Sequence, residues 1–302
     1  MERECPTQLR EASGTSRLPV LKTRWVFLGL AGYFSLQMLS RVLVSDSAEM
    51  DEAEQFVLAQ SWAWGYHGQA PLYTWLQLLV FGIVGQNILG VALLKNLLLF
   101  GTFVFTYLGA REVIEEEAPA LLGSLSLMLL PQVIWESQRD LTHTVLATTL
   151  AAATLYSALR FFKTGTAKWA ALLGFCAGAG VLGKYNFTFF LVGLLVAALS
   201  LKPFRNNVFS LKMLICIGIL ALIIAPHLYW FAHHSAPAWQ RFQEVRFSEA
   251  GGAWKAHAEA LGSLLEAVVS FTGILAVIYG ALCFKAPAEP LPAVKSEEGA
   301  IK

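Results

Sequence analysis

A chain of 302 residues that is 56% hydrophobic and only 14% charged, with a mean hydropathy of +0.56, carries more apolar surface than a soluble domain can hide, and reads as a polytopic membrane protein. A net charge of +1 with no concentrated basic patch excludes a nucleic-acid partner. Four cysteines, Cys5, Cys176, Cys216 and Cys283, lie far apart, Cys5 in a polar stretch and the others in apolar segments, which excludes a disulfide framework and a cysteine metal motif.

The first two dozen residues are polar and read as a cytoplasmic tail, 1–24. The apolar run that follows is too long for the core of a cleaved signal peptide. A spanning helix needs roughly 20 apolar residues. The chain offers eight candidates: 25–44, 87–109, 119–136, 141–160, 169–183, 187–201, 211–232 and 261–284. The fifth and sixth are short and meet at "GKYN", residues 183–186, as a hairpin would. The segment 71–84, "PLYTWLQLLVFGIV", is too short to cross and suits an interfacial or re-entrant helix. From 285 to 302 the chain is rich in Pro, Ala, Glu and Lys and reads as a disordered cytoplasmic tail. The fold class is therefore all-α: a polytopic transmembrane helical bundle, residues 25–284, of about eight spans with an interfacial helical first outer loop.

Charge gives the orientation. The N-terminal flank (Arg10, Arg17, Lys22, Arg24), the loop 160–168 and the loop 202–212 are basic and, past Glu11, free of acids. By the positive-inside rule all three face the cytoplasm. Residue 45 and residue 140 then both lie outside, and an even number of crossings must separate them. The spans 87–109 and 119–136 satisfy that count if 71–84 does not cross. The same count puts "GKYN" and 233–260 outside and "LKPFRNN" inside.

Four polar clusters gather on that outer face. "SDSAEMDEAEQ", residues 45–55, holds five acids: Asp46, Glu49, Asp51, Glu52 and Glu54. "ESQRD" holds Glu136, Arg139 and Asp140; the hairpin holds Lys184, Tyr185 and Asn186; and His227 precedes Trp230, His233 and His234. A carboxylate can take a proton from an acceptor hydroxyl, and a lysine or arginine can stabilise a departing phosphate. Each cluster also has a plainer reading. Asp46 or Ser47 is a ready helix N-cap, with Glu49, Asp51 and Glu52 favoured in the first turn by the helix dipole. Asp140 also precedes a helix, Lys184 can snorkel to headgroups, and His227 can be a satisfied polar residue. Trp62, Trp64, Tyr66, Tyr73 and Trp75 suit an interfacial aromatic belt. The sequon at Asn186 lies at the membrane edge. There is no Gly-rich phosphate loop, no nucleophile elbow and no zinc signature.

The segments "DEAEQFVLAQSWAWGYHGQAPLYTWLQ" (51–77), "LLKNLLLF" (93–100), "PQVIWESQRDLTHTVLATTLAA" (131–152) and "GVLGKYNFTFF" (180–190) resemble bacterial members of glycosyltransferase family 39. These are polyprenyl-phosphate-sugar-dependent transferases related to protein O-mannosyltransferases and the lipid A aminoarabinose transferase. The resemblance covers roughly residues 25–285. It implies a type-C glycosyltransferase fold whose first outer loop carries an acidic pair, here Asp51 and Glu52, with Asp51 the catalytic base. It matches Asp140 to a second acidic position and Lys184 to a donor-phosphate lysine. His227 is matched as well, and Arg139 and Tyr185, from the outer-face clusters, complete the expected substrate-binding set. A divalent metal is compatible with the resemblance, but no ligand spacing here demands one.

Two departures stand out. Ala70-Pro71 replaces the two prolines of close relatives, and the family has more helices than this chain, which reads as truncated or as a short subfamily. The expected function is transfer of a sugar, with inversion, from a polyprenyl-phosphate-linked donor to an extracytoplasmic glycan, lipid or protein acceptor at the plasma membrane (the inner membrane of a two-membrane cell). The alternative is a catalytically inactive relative that binds lipid-linked sugar or scaffolds an assembly. A transporter is disfavoured, because its ionisable groups would sit near the bilayer midplane.

Overall fold

The computed structural model describes residues 22–66, 68–247 and 253–285. The two expected tails and Cys5 fall almost wholly outside that range. In chain order the helices are α1 (Thr23–Val44), α2 (Met50–Leu58), α3 (Leu72–Val84), α4 (Ile88–Arg111), α5 (Glu117–Leu125), α6 (Ser137–Arg139), α7 (His143–Thr164), α8 (Ala167–Gly183), α9 (Phe187–Ser200), α10 (Lys202–Val208), α11 (Met213–Phe247) and α12 (Ala253–Lys285). Among the described residues there is no strand beyond a single bridge between Tyr66 and Gln69, so the all-α expectation holds.

All eight expected apolar segments are helical, but they do not all make straight spans. The helices α1, α4, α7 and Met213–His234 of α11 are each long and apolar enough to cross a bilayer. Up to three more crossings are bent: 117–129 with 132–139 at 70°, α9 with α10 at 116°, and two parts of α12. The eighth, α8, has 17 residues, so the described chain supports at most seven full-length spans rather than eight. Its composition explains why it is core rather than lipid-facing. Gly174 and Gly178 let α8 and α11 approach closely, and Gly180 makes room for the Phe187 ring of α9. A methyl at Gly174 would stand 2.3 Å from the Cys216 carbonyl oxygen, and one at Gly178 would stand 3.1 Å from the Ile223 side chain. α11 also runs past its expected end at 232 to Phe247, with a kink at His234.

The bend after α5 has a local cause. Pro131 has no amide to donate, and the chain restarts as a π-helical turn, Gln132–Glu136, which leads into α6. α1 packs on α4 through Leu30, Phe34, Leu99 and Phe103, with Phe34 edge-on to Phe103 at 5.5 Å. α7, α8 and α11 close a second core around Phe161, Leu173 and Cys216.

These helices alternate in direction. The stretch 45–58, the α6 turn, the start of α7, the 183–186 hairpin and His227 all meet at one end of the bundle, through the contacts described below. The opposite end gathers the basic loops. There Arg160 and Lys163 pair with Glu112, Asn207 Nδ2 donates to the Phe162 carbonyl, and Lys212 Nζ donates to the carbonyl of Gly165, whose positive φ of 57° ends α7. The grouping of segments matches the crossing count drawn from charge. α3, 13 residues long, lies against α4 without adding a crossing to it.

Candidate active site at one end of the bundle

The acidic stretch folds into α2, and its cap differs from the expected one. Helix α2 starts at Met50, with Glu49 as N-cap; Asp46 and Ser47 lie before it. The Glu49 side chain accepts from the third helical amide, and the Glu52 side chain accepts from the Glu49 amide at 3.2 Å, a capping box.

Two helix starts face each other at the centre of the site. The Asp51 amide, in the first turn of α2, donates to Asp140 Oδ1 at 2.8 Å. The Thr142 amide, at the start of α7, donates to Asp51 Oδ2 at 3.3 Å. Each carboxylate thus caps the other's helix, and the positive ends of two helix dipoles converge on the pair. The capping and catalytic readings are both compatible with this geometry. Each carboxylate commits one oxygen to an amide, and its second oxygen (Oδ1 of Asp51, Oδ2 of Asp140) has no partner among the described residues. Both side chains are half-buried.

Glu52 has a different fate from its neighbour. It is 1% exposed and lies between Lys95 Nζ at 2.8 Å and Arg41 Nη2 at 2.6 Å. Burial alone would raise its carboxyl, but Lys95, Arg41 and the Glu49 amide hold it below the ordinary value of 4.5. Both oxygens of Glu52, expected to be catalytic beside Asp51, are thus held in ion pairs that join α1, α2 and α4. Lys95 also donates to the Gln138 carbonyl at 3.3 Å, and Gln138 Nε2 reaches Asn96 Oδ1 at 2.9 Å. These bonds fasten α2 and the α6 turn, which precedes Asp140, to the same two turns of α4. Arg41 adds α1 by donating to the carbonyls of Ser45 and Ser47.

A buried polar layer lies under α2. Thr74 Oγ1 donates to Gln55 Oε1, Gln55 Nε2 meets His143 Nε2 at 3.2 Å, and His143 Nδ1 meets the Gly183 carbonyl at 3.2 Å. With its far nitrogen on a carbonyl, His143 carries its proton on Nδ1 and accepts at Nε2. Tyr73 packs on His143 and is fully buried; burial, with Glu52 and Asp51 adding to it, pushes its phenol far above the usual range and keeps it neutral. The hydroxyls of Tyr73 and Thr142 are buried without a protein partner. Lys184 donates to Thr144 Oγ1 at 2.7 Å, in the first turn of α7, and both it and Asp51 are within electrostatic reach of the His143 ring.

His227 and Tyr185 hold the first loop in place. His227 is 3% exposed; its Nδ1 donates to the Trp64 carbonyl at 2.8 Å, and Tyr185 donates to its Nε2 at 3.0 Å. The Tyr185 hydroxyl also lies 3.3 Å from the Gln69 carbonyl, and burial pushes it up to about 12. Trp230 presses on Gly65, where an added methyl would stand 2.2 Å from the indole. Both ring nitrogens of His227, expected to contact substrate, are engaged by the protein and fasten the first loop. Arg139, by contrast, is exposed and has no side-chain partner among the described residues.

Reading the sequence missed Lys95, Gln55 and His143. Lys95 had a signal: a single lysine eight residues into an apolar helix, which only a partner could make tolerable. Gln55 and His143 had none, because their roles come from packing between distant helices. No group of three or more His, Cys, Asp or Glu side chains is placed to hold a metal among the described residues.

Residues 68–230 match the family model described as dolichyl-phosphate-mannose-protein mannosyltransferase. Two curated relatives come from Rhizobium johnstonii. The lipopolysaccharide core galacturonosyltransferase RgtB is 35% identical over 257 residues, which is 84% of this chain and 52% of that protein. The lipopolysaccharide core galacturonosyltransferase RgtA is 34% identical over 256 residues, 83% of this chain and 51% of that protein. This chain spans about half the length of the relatives it matches. A family match over more than half the sequence, on an all-α membrane bundle with a polar end, means that the chain belongs to the dolichyl-phosphate-mannose-protein mannosyltransferase family.

Proposed function

We propose that this chain forms the membrane-embedded catalytic region of a glycosyltransferase. It moves a sugar, with inversion, from a polyprenyl-phosphate-linked donor to an acceptor on the outer face of the plasma or inner membrane. The carboxylate end of the bundle faces outward, and the basic loops face the cytoplasm. One observation carries the reading. Asp51 and Asp140, 89 residues apart, share one site while each keeps an uncommitted oxygen. Asp51 takes the proton of the acceptor hydroxyl as that oxygen attacks the anomeric carbon. The bond from the anomeric carbon to the phosphate oxygen breaks, and Lys184 stabilises the departing phosphate. The orphaned hydroxyls of Tyr73 and Thr142 offer further hydrogen bonds to a polar guest. The relatives named above favour a uronic-acid donor and a glycan of the lipopolysaccharide core as acceptor.

A second reading follows from the same geometry: the carboxylates serve only as reciprocal caps, and the chain binds lipid-linked sugar without turnover. The Asp51→Asn variant separates them. Under the transfer reading it abolishes sugar transfer in membranes, while losing one cap costs about 1 kcal/mol and leaves expression near normal. Wild-type transfer by this variant sinks the assignment of the base. Mass spectrometry of envelope glycolipids in a deletion strain identifies the acceptor.

A further inference from the structure

A cleft of about 520 Å3 opens beside the carboxylate pair, between the end of α1 and the π-helical turn. Gln37, Arg41, Glu49, Trp135, Gln138 and Arg139 line it. Neither Asp51, Asp140 nor Lys184 does, so it is separate from the proposed reacting centre while touching the chain neighbours of Asp140. Its electrostatics favour an anion. Two cations, Arg41 and exposed Arg139, line it against one carboxylate, Glu49, whose side chain is taken up in the α2 capping box, and behind the wall buried Lys95 shares the single carboxylate of Glu52 with Arg41. Below, a groove of about 220 Å3 runs between α1 and α4, lined by Phe34, Met38, Leu93, Leu97 and Phe100. The two share the outward face of α1: Met38 in the groove is one helical turn below Arg41 in the cleft. A polar, cationic chamber directly above an apolar slot has the shape of an anionic lipid in a leaflet.

We propose that this cleft and groove form a second lipid site, which takes the phosphate-bearing head of the acceptor glycolipid and lays one of its chains between α1 and α4. The choice of acceptor rests on the transfer reading above. Displacement with inversion requires the attacking hydroxyl and the leaving phosphate on opposite sides of the anomeric carbon. Lys184 bonds to Thr144 on α7, and no residue of α7, α8 or α9 lines the cleft. The leaving phosphate therefore takes the Lys184 side, and the Arg139 side remains for the acceptor.

The test measures binding, not turnover. The full chain in phosphatidylcholine nanodiscs is titrated with bisphosphorylated lipid A, with enzymatically dephosphorylated lipid A, and with undecaprenyl phosphate. Arg139→Glu weakens bisphosphorylated lipid A about tenfold or more, through loss of a charged contact, and leaves the other two unchanged. Arg139→Lys restores most of the loss. Ser35→Trp, an exposed position that narrows the groove, weakens both forms of lipid A. Unchanged lipid A binding in Arg139→Glu overturns the site. An equal loss of undecaprenyl phosphate overturns its assignment to the acceptor. These arms read binding and not transfer, so failure of the catalytic reading, which is read by transfer in Asp51→Asn, is seen separately.

Discussion

The two ends of the bundle hold the same kinds of ion pair and use them differently. At one end Glu112 pairs with Arg160 and Lys163, which are 37% and 49% exposed. Arg160 also stacks on Trp169 at 4.9 Å. At the other end Glu52, Lys95 and Arg41 form a triad in which the carboxylate and the lysine are each 1% exposed. Water screens the first set, whose pairing contributes little. The second set is out of water, so each charge depends on the others being present. A buried triad is not a gain in stability by its nature. Its use here is specificity of position, because it ties α1, α2, α4 and the α6 turn into one arrangement and so brings Asp51 to Asp140.

The largest expected effect breaks the buried set. Glu52→Gln leaves Lys95 and Arg41 without their carboxylate and costs about 3–5 kcal/mol, read as a fall in unfolding midpoint in detergent. The double variant Glu52→Gln, Lys95→Met recovers a large part of it; no recovery would mean that the two side chains do not act as a pair. The same triad sets a pH response. Because the folded carboxyl titrates below 4.5, its stabilising contribution is present at pH above that value and is lost as pH falls through the lower folded one. The acid arm of a stability–pH profile should therefore flatten in Glu52→Gln, and an unaltered acid arm would count against the pairing.

Next in size is a test of close packing. Gly174→Ala drives a methyl into the Cys216 carbonyl, a backbone atom that cannot rotate away, and should cost about 1–3 kcal/mol by prising α8 from α11. An equivalent Gly218→Ala, where nothing lies within 4 Å, should be near neutral and serves as the control. The smallest effect belongs to the exposed end. Arg160→Gln should shift stability by no more than about 1 kcal/mol and respond to salt. A loss as large as that of Glu52→Gln would erase the contrast between the two ends.

Some of this was legible from residues alone. Hydropathy and charge placed eight apolar helices and gathered four polar clusters at one end, because crossing a bilayer demands long apolar runs and basic loops fix their direction. The short 71–84 helix was legible for the same reason: its length cannot span. Residue type and spacing could not divide Asp51 from Glu52; only the resemblance singled out Asp51. Both are acids in the first turn of one helix, and the same dipole favours both. Only the burial of Lys95 on α4, 43 residues away, takes Glu52 as a partner and leaves Asp51 to face Asp140. Nor could sequence show that His227 would be used up by Trp64 and Tyr185, since those contacts join three separate segments.

Amino-acid order therefore settled which segments are helical and which end collects the polar groups. Tertiary packing alone decided which of the acids there is neutralised and which keeps an open oxygen. Helix formation and membrane insertion are governed by residues close in the chain. The state of a buried charge is governed by whatever charge the fold brings within about 3 Å of it, however distant that partner is in sequence.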